Sequence, residues 1–175
     1  MANVPVDLRA KIRDVPDFPK PGVVFKDIMP LIGDPAALAE TVERLAKWAE
    51  PRTPDLILGA EARGYITGGA LACRLGCGFV PARKPGKLPW HTVAVKYALE
   101  YGFDQLEVHA DAIKPGQRVL VHDDVLATGG TAKATAQLVE QLGGIVVGLP
   151  FIIELAFLDG REKLGGYDVF SLIEY

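Results

Sequence analysis

The segment Arg118–Thr131 reads RVLVHDDVLATGGT, and it decides the fold. Its apolar run Val119–Val121 predicts a strand that is covered on both faces and ends at two adjacent carboxylates, Asp123 and Asp124. A short loop, Ala127–Thr131, follows and opens a stretch rich in Ala, Gln, Leu and Glu, which is typical of a helix. A buried strand that leads through a loop into a helix indicates an α/β protein with a mostly parallel sheet.

The loop has the composition of an anion site. Backbone amides at the start of a helix favour an anion, and glycines let the backbone turn and approach it closely. The two carboxylates would repel a phosphate, so we assign them to vicinal ribose hydroxyls, which donate hydrogen bonds that carboxylates accept. The segment therefore predicts a ribose 5-phosphate site, against the alternative of an ordinary strand–turn–helix with a capping Thr. The predicted phosphate-binding residues are Ala127, Thr128, Gly129, Gly130 and Thr131.

The same segment resembles the signature of the type I phosphoribosyltransferases, which bind phosphoribosyl pyrophosphate. The resemblance covers nearly the whole chain, from about Ile12 to Tyr175. It implies a central, mostly parallel sheet flanked by helices on both faces. It also implies an N-terminal hood over about residues 1–33 and a β-hairpin lid over about residues 91–109. We expect residues 1–175 to form a single phosphoribosyltransferase domain.

Bulk composition fits a single globular domain of 175 residues, of which 49% are hydrophobic. The net charge of −3 gives no reason to expect binding to nucleic acid or to a membrane. No apolar run approaches the roughly 20 residues of a membrane-spanning helix, and the first residues have no apolar signal core. Cys73 and Cys77 are predicted to be reduced thiols, which favours a cytoplasmic location.

The segment Phe18–Ile28, FPKPGVVFKDI, is the predicted base-binding hood. Its prolines and glycine predict an irregular loop, and the apolar residues at its end must pack either on the core or on a flat ligand. It closely resembles the hood of the adenine-specific phosphoribosyltransferases. The resemblance implies that Val24 and Phe25 lie against adenine, and we expect Val125, just beyond the acid pair, to help hold the ring. Lys26 is basic in the family too, without an assigned role.

Two cationic segments are candidates for binding pyrophosphate. Arg63 lies in GAEARG, residues 59–64, which matches the family's pyrophosphate loop; in relatives this loop also meets the base through its backbone. Arg83, Lys84 and Lys87 lie close together in RKPGKLP. Such a run is usually a solvated loop, but opposite a ribose-phosphate site it becomes a pyrophosphate clamp, because phosphates favour Arg and Lys donors. Arg83 is expected to act in its own or in a neighbouring subunit's site.

The predicted lid carries the candidate catalytic residue. In isolation Glu100 is an exposed loop acid, but LEYG at residues 99–102 matches the family's lid motif. The resemblance implies that Glu100 is the acid/base group beside the purine imidazole nitrogens and that Tyr101 helps to cover the site. Ala98 replaces the Ser common in relatives, which puts a hydroxyl contact in doubt. His122 is expected to be a strand histidine without a catalytic role.

The resemblance implies transfer of the 5-phosphoribosyl group from phosphoribosyl pyrophosphate to adenine, which gives AMP and pyrophosphate in purine salvage. It implies Mg²⁺ held mainly through substrate and water, without a dedicated metal cage, and a homodimer. Two alternatives stay open: a phosphoribosyltransferase for a 6-oxopurine or a pyrimidine, and a non-enzymatic regulator that senses phosphoribosyl pyrophosphate. The hood and Glu100 favour adenine, and the sequence has no basic face or added DNA-binding segment that would favour a regulator.

Overall fold

A computed structural model describes residues 6–98 and 103–175, without the side chain of Ala98. Its N-terminal part holds a 3-10 turn, Arg9–Lys11, and an antiparallel hairpin of β1 (Arg13–Pro16) and β2 (Val24–Asp27). The expected irregular loop is therefore confined to residues 17–23, and the end of the predicted hood, Val24–Asp27, is a strand instead. The prolines do not prevent the hairpin because they stand at the end of β1 and in the turn, where no ladder N–H is required.

Strands and helices follow one another along the rest of the described chain. The helices are α1 (Met29–Ile32), α2 (Pro35–Ala49), α3 (Gly64–Leu75) and α4 (Gly130–Gln141), with 3-10 turns at Glu50–Arg52, Ala156–Leu158 and Gly160–Leu164. The further strands are β3 (Leu56–Ala60), β4 (Gly78–Ala82), β5 (Thr92–Ala98), β6 (Phe103–His109), β7 (Arg118–Leu126), β8 (Ile145–Glu154) and β9 (Val169–Glu174).

The central sheet has the strand order β4-β3-β7-β8-β9, and every neighbouring pair in it is parallel. Strands β5 and β6 form a separate antiparallel hairpin, as the sequence predicted for the lid. A pair of backbone hydrogen bonds between Arg83 and Glu107 ties this hairpin to the segment after β4. The α/β fold with a parallel sheet is confirmed.

Apolar side chains cover both faces of the sheet. Leu58 and Val121 pack into the core under α4 and the β5–β6 hairpin. Ile57 and Leu120 pack into the core under α2, α3 and the N-terminal segment. Successive residues of a strand point to opposite faces, so the apolar runs of β3 and β7 serve both cores. No helix within residues 6–98 and 103–175 is long and apolar enough to cross a membrane.

Strand β7 continues through the acid pair to Leu126, whereas the sequence predicted that it would end at the acids. It can continue because β7 lies between β3 and β8, and Asp123 pairs with Phe151 in the parallel ladder with β8. The register of that ladder shifts by one residue after Val119, because β8 carries an extra residue before Gly148. The acids therefore lie inside the sheet, close to its carboxyl edge.

Helix ends follow their expected chemistry. The Asp34 side chain accepts hydrogen bonds from the amides of Ala36 and Ala37 and caps α2. Helix α4 begins directly after Gly129, whose φ of 77° suits glycine, and Gly143 beyond its end has a φ of 81°. Both ends of the helix that supports the predicted phosphate loop are thus fixed by local sequence.

Candidate active site

The predicted phosphate loop encloses a small cavity of about 70 Å³ between β7 and α4. Within the part of the chain that the structure describes, the Gly129 end of α4 has no side-chain cap, and the amides of a helix's first turn favour an anion. All five predicted phosphate-binding residues, 127–131, line this cavity, together with residues that were not predicted to bind the phosphate: Asp123, Val125, Leu126 and Ala132.

A second cavity of about 240 Å³ adjoins the first. The two cavities share Asp123, Val125 and Ala127, so they meet at the acid pair. The second is lined mainly by apolar groups, as a base site requires. It brings together all four predicted adenine contacts and several further residues: Val24, Phe25, Arg63 and Val125, with Val23, Lys26, Asp123, Asp124, Ala127 and Leu155.

Asp123 and Asp124 are strongly perturbed carboxyls. Burial, and then the neighbouring Asp124 charge, raise the pKa of Asp123 well above its usual value. Burial also raises the pKa of Asp124, and the Arg63 charge opposes that rise. The Asp124 amide donates to Asp123 Oδ1 at 2.9 Å, whereas the buried Asp124 Oδ2 accepts no hydrogen bond among the described residues. The carboxylate oxygens of the pair can therefore accept hydrogen bonds from donors on a ligand.

Arg63 lies between the acid pair and the hood. Its Nε is 2.9 Å from Asp124 Oδ2, an ion pair that lacks the geometry of a hydrogen bond. Its guanidinium lies 4.9 Å from the centre of the Phe25 ring, within cation–π range. The Glu61–Ala62 peptide in this loop is cis, a feature that the sequence alone does not reveal. At Gly64 an added Cβ would lie 3.0 Å from Asp123 Oδ1, so the glycine permits the close approach of loop and acids.

The cations at 83–87 line neither cavity in this conformation. Lys84 Nζ donates to Asp104 Oδ2 on β6 at 2.7 Å, and this bond raises the pKa of Lys84. Arg83 Nη1 donates to the carbonyl of Lys87 at 3.1 Å, and the Lys87 side chain is exposed. Of these three predicted pyrophosphate-binding cations, Lys84 is thus held by the hairpin, whereas Arg83 Nε lies 3.6 Å from Glu61 Oε2 in the loop that carries Arg63.

The hairpin also contacts the phosphate loop. The Tyr97 hydroxyl donates to Asp104 Oδ2 at 3.3 Å and accepts from Thr131 Oγ1 at 3.4 Å. Burial raises the pKa of Tyr97, so the phenol stays protonated at neutral pH. Glu100 and Tyr101 lie outside the described residues, so their predicted roles stay predictions.

Sequence reasoning missed Tyr97, Asp104 and Leu155. Leu155 directly follows β8, the neighbour of β7, and ligands of parallel sheets bind at the carboxyl ends of adjacent strands. That rule could have identified it. The Asp104 contact with Lys84 spans 20 residues and joins β6 to the loop after β4, and no local sequence signal indicates it.

His122 and Lys26 have structural partners. His122 Nδ1 lies 2.8 Å from the Pro150 carbonyl and Nε2 lies 2.7 Å from Thr67 Oγ1, so a neutral ring that is protonated at Nδ1 satisfies both. Lys26 Nζ donates to Asp14 Oδ1 at 2.7 Å and lies 4.0 Å from the Tyr175 ring centre. The polar atoms of both side chains are therefore already engaged in contacts within the protein.

The comparisons with known proteins agree with this geometry. The parallel sheet, the phosphate loop and the acid pair define a phosphoribosyltransferase, and the family model described as phosphoribosyl transferase domain matches residues 32–164. The adenine phosphoribosyltransferase of Clostridium beijerinckii is 58% identical over 170 residues, which cover 97% of this chain and 99% of that protein. The chain belongs to the adenine phosphoribosyltransferase family.

Solved structures lead to the same family. The crystal structure of adenine phosphoribosyltransferase from Thermoanaerobacter pseudethanolicus is 56% identical, covers 97% of this chain and 98% of its own, and superposes with a TM-score of 0.95. The enzyme from Saccharomyces cerevisiae, solved with an imino-altritol bisphosphate and adenine, is 39% identical with a TM-score of 0.91; the match covers 95% of this chain and 96% of that one.

Proposed function

We propose that the protein transfers the 5-phosphoribosyl group from phosphoribosyl pyrophosphate to adenine and so forms AMP and pyrophosphate. One observation carries the proposal: the acid pair lies where the anion loop and the apolar cavity under Phe25 meet. Phosphate, ribose and base are joined in this order in AMP. The three neighbouring environments therefore fit one nucleotide.

Each part of the site has a role in this reaction. The loop 127–131 donates to the 5-phosphate, and Asp123 and Asp124 accept from the ribose hydroxyls. Val24, Phe25 and Val125 hold the purine ring, with Arg63 beside it. Displacement at the anomeric carbon passes through a state that resembles an oxocarbenium ion, so the protein acts mainly by positioning and by stabilising charge. Lys84, Lys87, Arg63 and Arg83 bind the leaving pyrophosphate.

Mg²⁺ fits this site as an ion held mainly by substrate oxygens and water. Among residues 6–98 and 103–175, no group of three or more His, Cys, Asp or Glu side chains could hold a metal. The acid pair supplies hard oxygen acceptors, including Asp124 Oδ2, which is ion-paired with Arg63 and accepts no hydrogen bond from the described residues; such oxygens suit the ion's bound water or the ribose hydroxyls. When bound, Mg²⁺ neutralises charge that develops on the pyrophosphate. The homodimer and the cytoplasmic location remain predictions from the sequence.

A release assay tests the function. Pyrophosphate release with Mg²⁺ and phosphoribosyl pyrophosphate is expected to require adenine, and guanine and hypoxanthine are expected to support much slower release. Equal rates with the three bases would contradict the specificity. Binding of phosphoribosyl pyrophosphate without turnover of any base would favour the regulator instead.

Glu100→Gln tests the lid acid. Loss of general acid/base catalysis is expected to lower kcat by about 10²- to 10⁴-fold, while the Kd for phosphoribosyl pyrophosphate stays nearly unchanged. The control is Glu107→Gln on the same hairpin, which keeps an acceptor for the Gln105 side chain and is expected to retain activity. An unchanged kcat in Glu100→Gln would show that the acid/base role is wrong.

Asp104→Ala tests whether the hairpin competes for Lys84. Removing this exposed ion pair frees the ammonium group, so the Kd for Mg²⁺-pyrophosphate is expected to fall by about two- to fivefold. The effect is measured by isothermal titration, with Asp111→Asn at an exposed position as the control. In a Lys84→Ala background the gain should disappear. A gain that persists there would mean that Asp104 acts on another group.

A further inference from the structure

An ion pair between a buried carboxylate, Glu154, and a half-exposed guanidinium, Arg161, lies next to the phosphate loop but outside both cavities. Glu154, the last residue of β8, is 5% exposed. Arg161 Nε donates to its Oε1 at 2.9 Å, Arg161 Nη2 donates to its Oε2, and Ser171 Oγ donates to Oε2 at 2.7 Å. The remaining Arg161 nitrogen, Nη1, donates to the Val169 carbonyl at 3.0 Å. We name Glu154, Arg161 and Ser171 the clamp.

Gly160 directly precedes Arg161 of the clamp in the chain. Gly160 is buried, and its backbone packs directly on the phosphate loop. A Cβ at Gly160 would lie 2.0 Å from the Ala127 carbonyl oxygen, and a Cβ at Gly129 would lie 2.3 Å from the Gly160 carbonyl oxygen. Real Cβ atoms do not approach so closely, so the two backbone segments touch without side chains between them.

The clamp is also connected to the strand that carries the acid pair. Glu154 pairs with Leu126, the last residue of β7, and with Glu174 of β9. The Leu155 amide donates to the Leu126 carbonyl at 2.9 Å. The carboxyl ends of three strands and the segment beneath the loop thus form one hydrogen-bonded unit, and the loop begins one residue after Leu126.

Stability alone does not account for this arrangement. Solvent screens the half-exposed Arg161, and ion pairs that reach the surface typically contribute only about 0–1 kcal/mol to stability. Two-pronged Arg–carboxylate pairing does fix direction and distance. Anion sites built from backbone amides depend on position, and a misplacement of about 1 Å can cost on the order of a hundredfold in rate.

We propose that Glu154, Arg161 and Ser171 are positioning residues that press Gly160 against the loop 127–130 and thereby set the affinity for the 5-phosphate group. The proposal rests on the proposed function, in which this loop binds that phosphate. It assigns the clamp no contact with substrate.

Arg161→Met tests the clamp with two ligands measured by isothermal titration. Ribose 5-phosphate carries the phosphate without a base, and adenine carries the base without the phosphate. The Kd for ribose 5-phosphate is expected to rise at least about tenfold, and the Kd for adenine is expected to stay unchanged. KM for phosphoribosyl pyrophosphate should rise accordingly, with a smaller change in kcat. Arg161→Lys, which keeps the charge but loses the planar fork, should lie between wild type and Arg161→Met.

A matched control separates positioning from general stability. Arg74 makes the same two-pronged pair with Glu43, between α3 and α2 and outside the residues that line the site. Arg74→Met should leave the Kd of both ligands unchanged. Ser171→Ala is the milder clamp variant, and it should weaken ribose 5-phosphate binding by a smaller factor without preventing folding.

The two possible failures are distinguishable. Equal ribose 5-phosphate affinity in wild type and Arg161→Met, or a parallel loss of ribose 5-phosphate and adenine binding, would overturn the clamp while wild-type turnover of adenine still supports the function. Absence of adenine-dependent pyrophosphate release in the wild type would overturn the proposed function, whatever the variants do.

Discussion

Asp123→Asn is expected to raise the thermal stability of the ligand-free protein and to remove most of its activity. The midpoint of unfolding should rise by several degrees, at about 2–4 °C per kcal/mol for a chain of this size. The value of kcat/KM should fall by about ten- to a hundredfold, because a hydrogen bond to a charged group contributes about 1.5–3 kcal/mol. Asn keeps the shape of Asp and loses the charge.

The stability gain follows from the raised pKa of Asp123, whose largest cause is burial. A carboxyl whose folded pKa exceeds its unfolded value costs no stability below about pH 3.9, where both states are protonated. As the pH rises further, the unfolded chain ionises first, and the folded state loses stability until the pH passes the folded pKa. The advantage of Asp123→Asn should therefore be absent near pH 3.5 and largest at neutral pH.

Calorimetry across this pH range checks the prediction, with Asp111→Asn as the control at an exposed position. That variant should change neither the unfolding midpoint nor the activity. A wild type that is more stable than Asp123→Asn at pH 7 would show that the acid pair is already compensated in the free protein. In that case the fold itself would favour two adjacent carboxyls, and ligand binding would not be needed to explain them.

Acid is expected to destabilise the protein through His122. Burial lowers the pKa of this fully buried side chain to about 4, against about 6.5 in the unfolded chain. The folded state therefore prefers the neutral ring, and its stability is complete above about pH 6.5 and declines as the pH falls towards 4. With 1.36 kcal/mol per pH unit, the decline amounts to about 3 kcal/mol over this window.

The double variant His122→Val with Thr67→Val isolates this effect. It removes the titrating ring and its hydroxyl partner together, so that no buried hydroxyl is left unpaired by the change. Its free energy of unfolding should depend on pH less than that of the wild type between pH 4 and 6.5, by about the same 3 kcal/mol. Urea titrations at pH 4.5, 5.5 and 7 measure both proteins. If the free energy of unfolding depended on pH equally in both proteins, protonation of His122 would not reduce the stability of the folded state.

Much of the architecture could be predicted from local pattern. The apolar runs of β3, β7 and β8 and the Asp34-Pro35 start of α2 determine their elements almost alone. The hairpin within the hood could not be predicted, because it depends on pairing between Val15 and Phe25 across a proline-rich turn. The end of β7 was misplaced because Asp is unfavourable in strands, and pairing with neighbours on both sides overrides that preference.

The site, like the fold, could be predicted only where local sequence determines it. The loop 127–131 and the acid pair are contiguous, and one strand–loop–helix unit places them together. The position of Lys84 is decided by Asp104 on the hairpin, and the support beneath Gly129 comes from Gly160. Both contacts join segments that only the folded chain brings together. Motifs therefore predict which residue types bind, and tertiary contacts decide where those residues lie before the ligand arrives.

The extra residue in β8 determines how the residues of the site are aligned. Strand β7 pairs with β8 at an offset of 27 residues as far as Val119, and at 28 from Leu120 onward, as the pairs Val119–Val146 and Leu120–Gly148 show. A ladder without the extra residue would turn Leu149 and Phe151 from one face of the sheet to the other. It would also pair Leu126 with a residue other than Glu154. One extra residue in β8, which lines neither cavity, thus sets the strand register that brings acid pair, phosphate loop and clamp together.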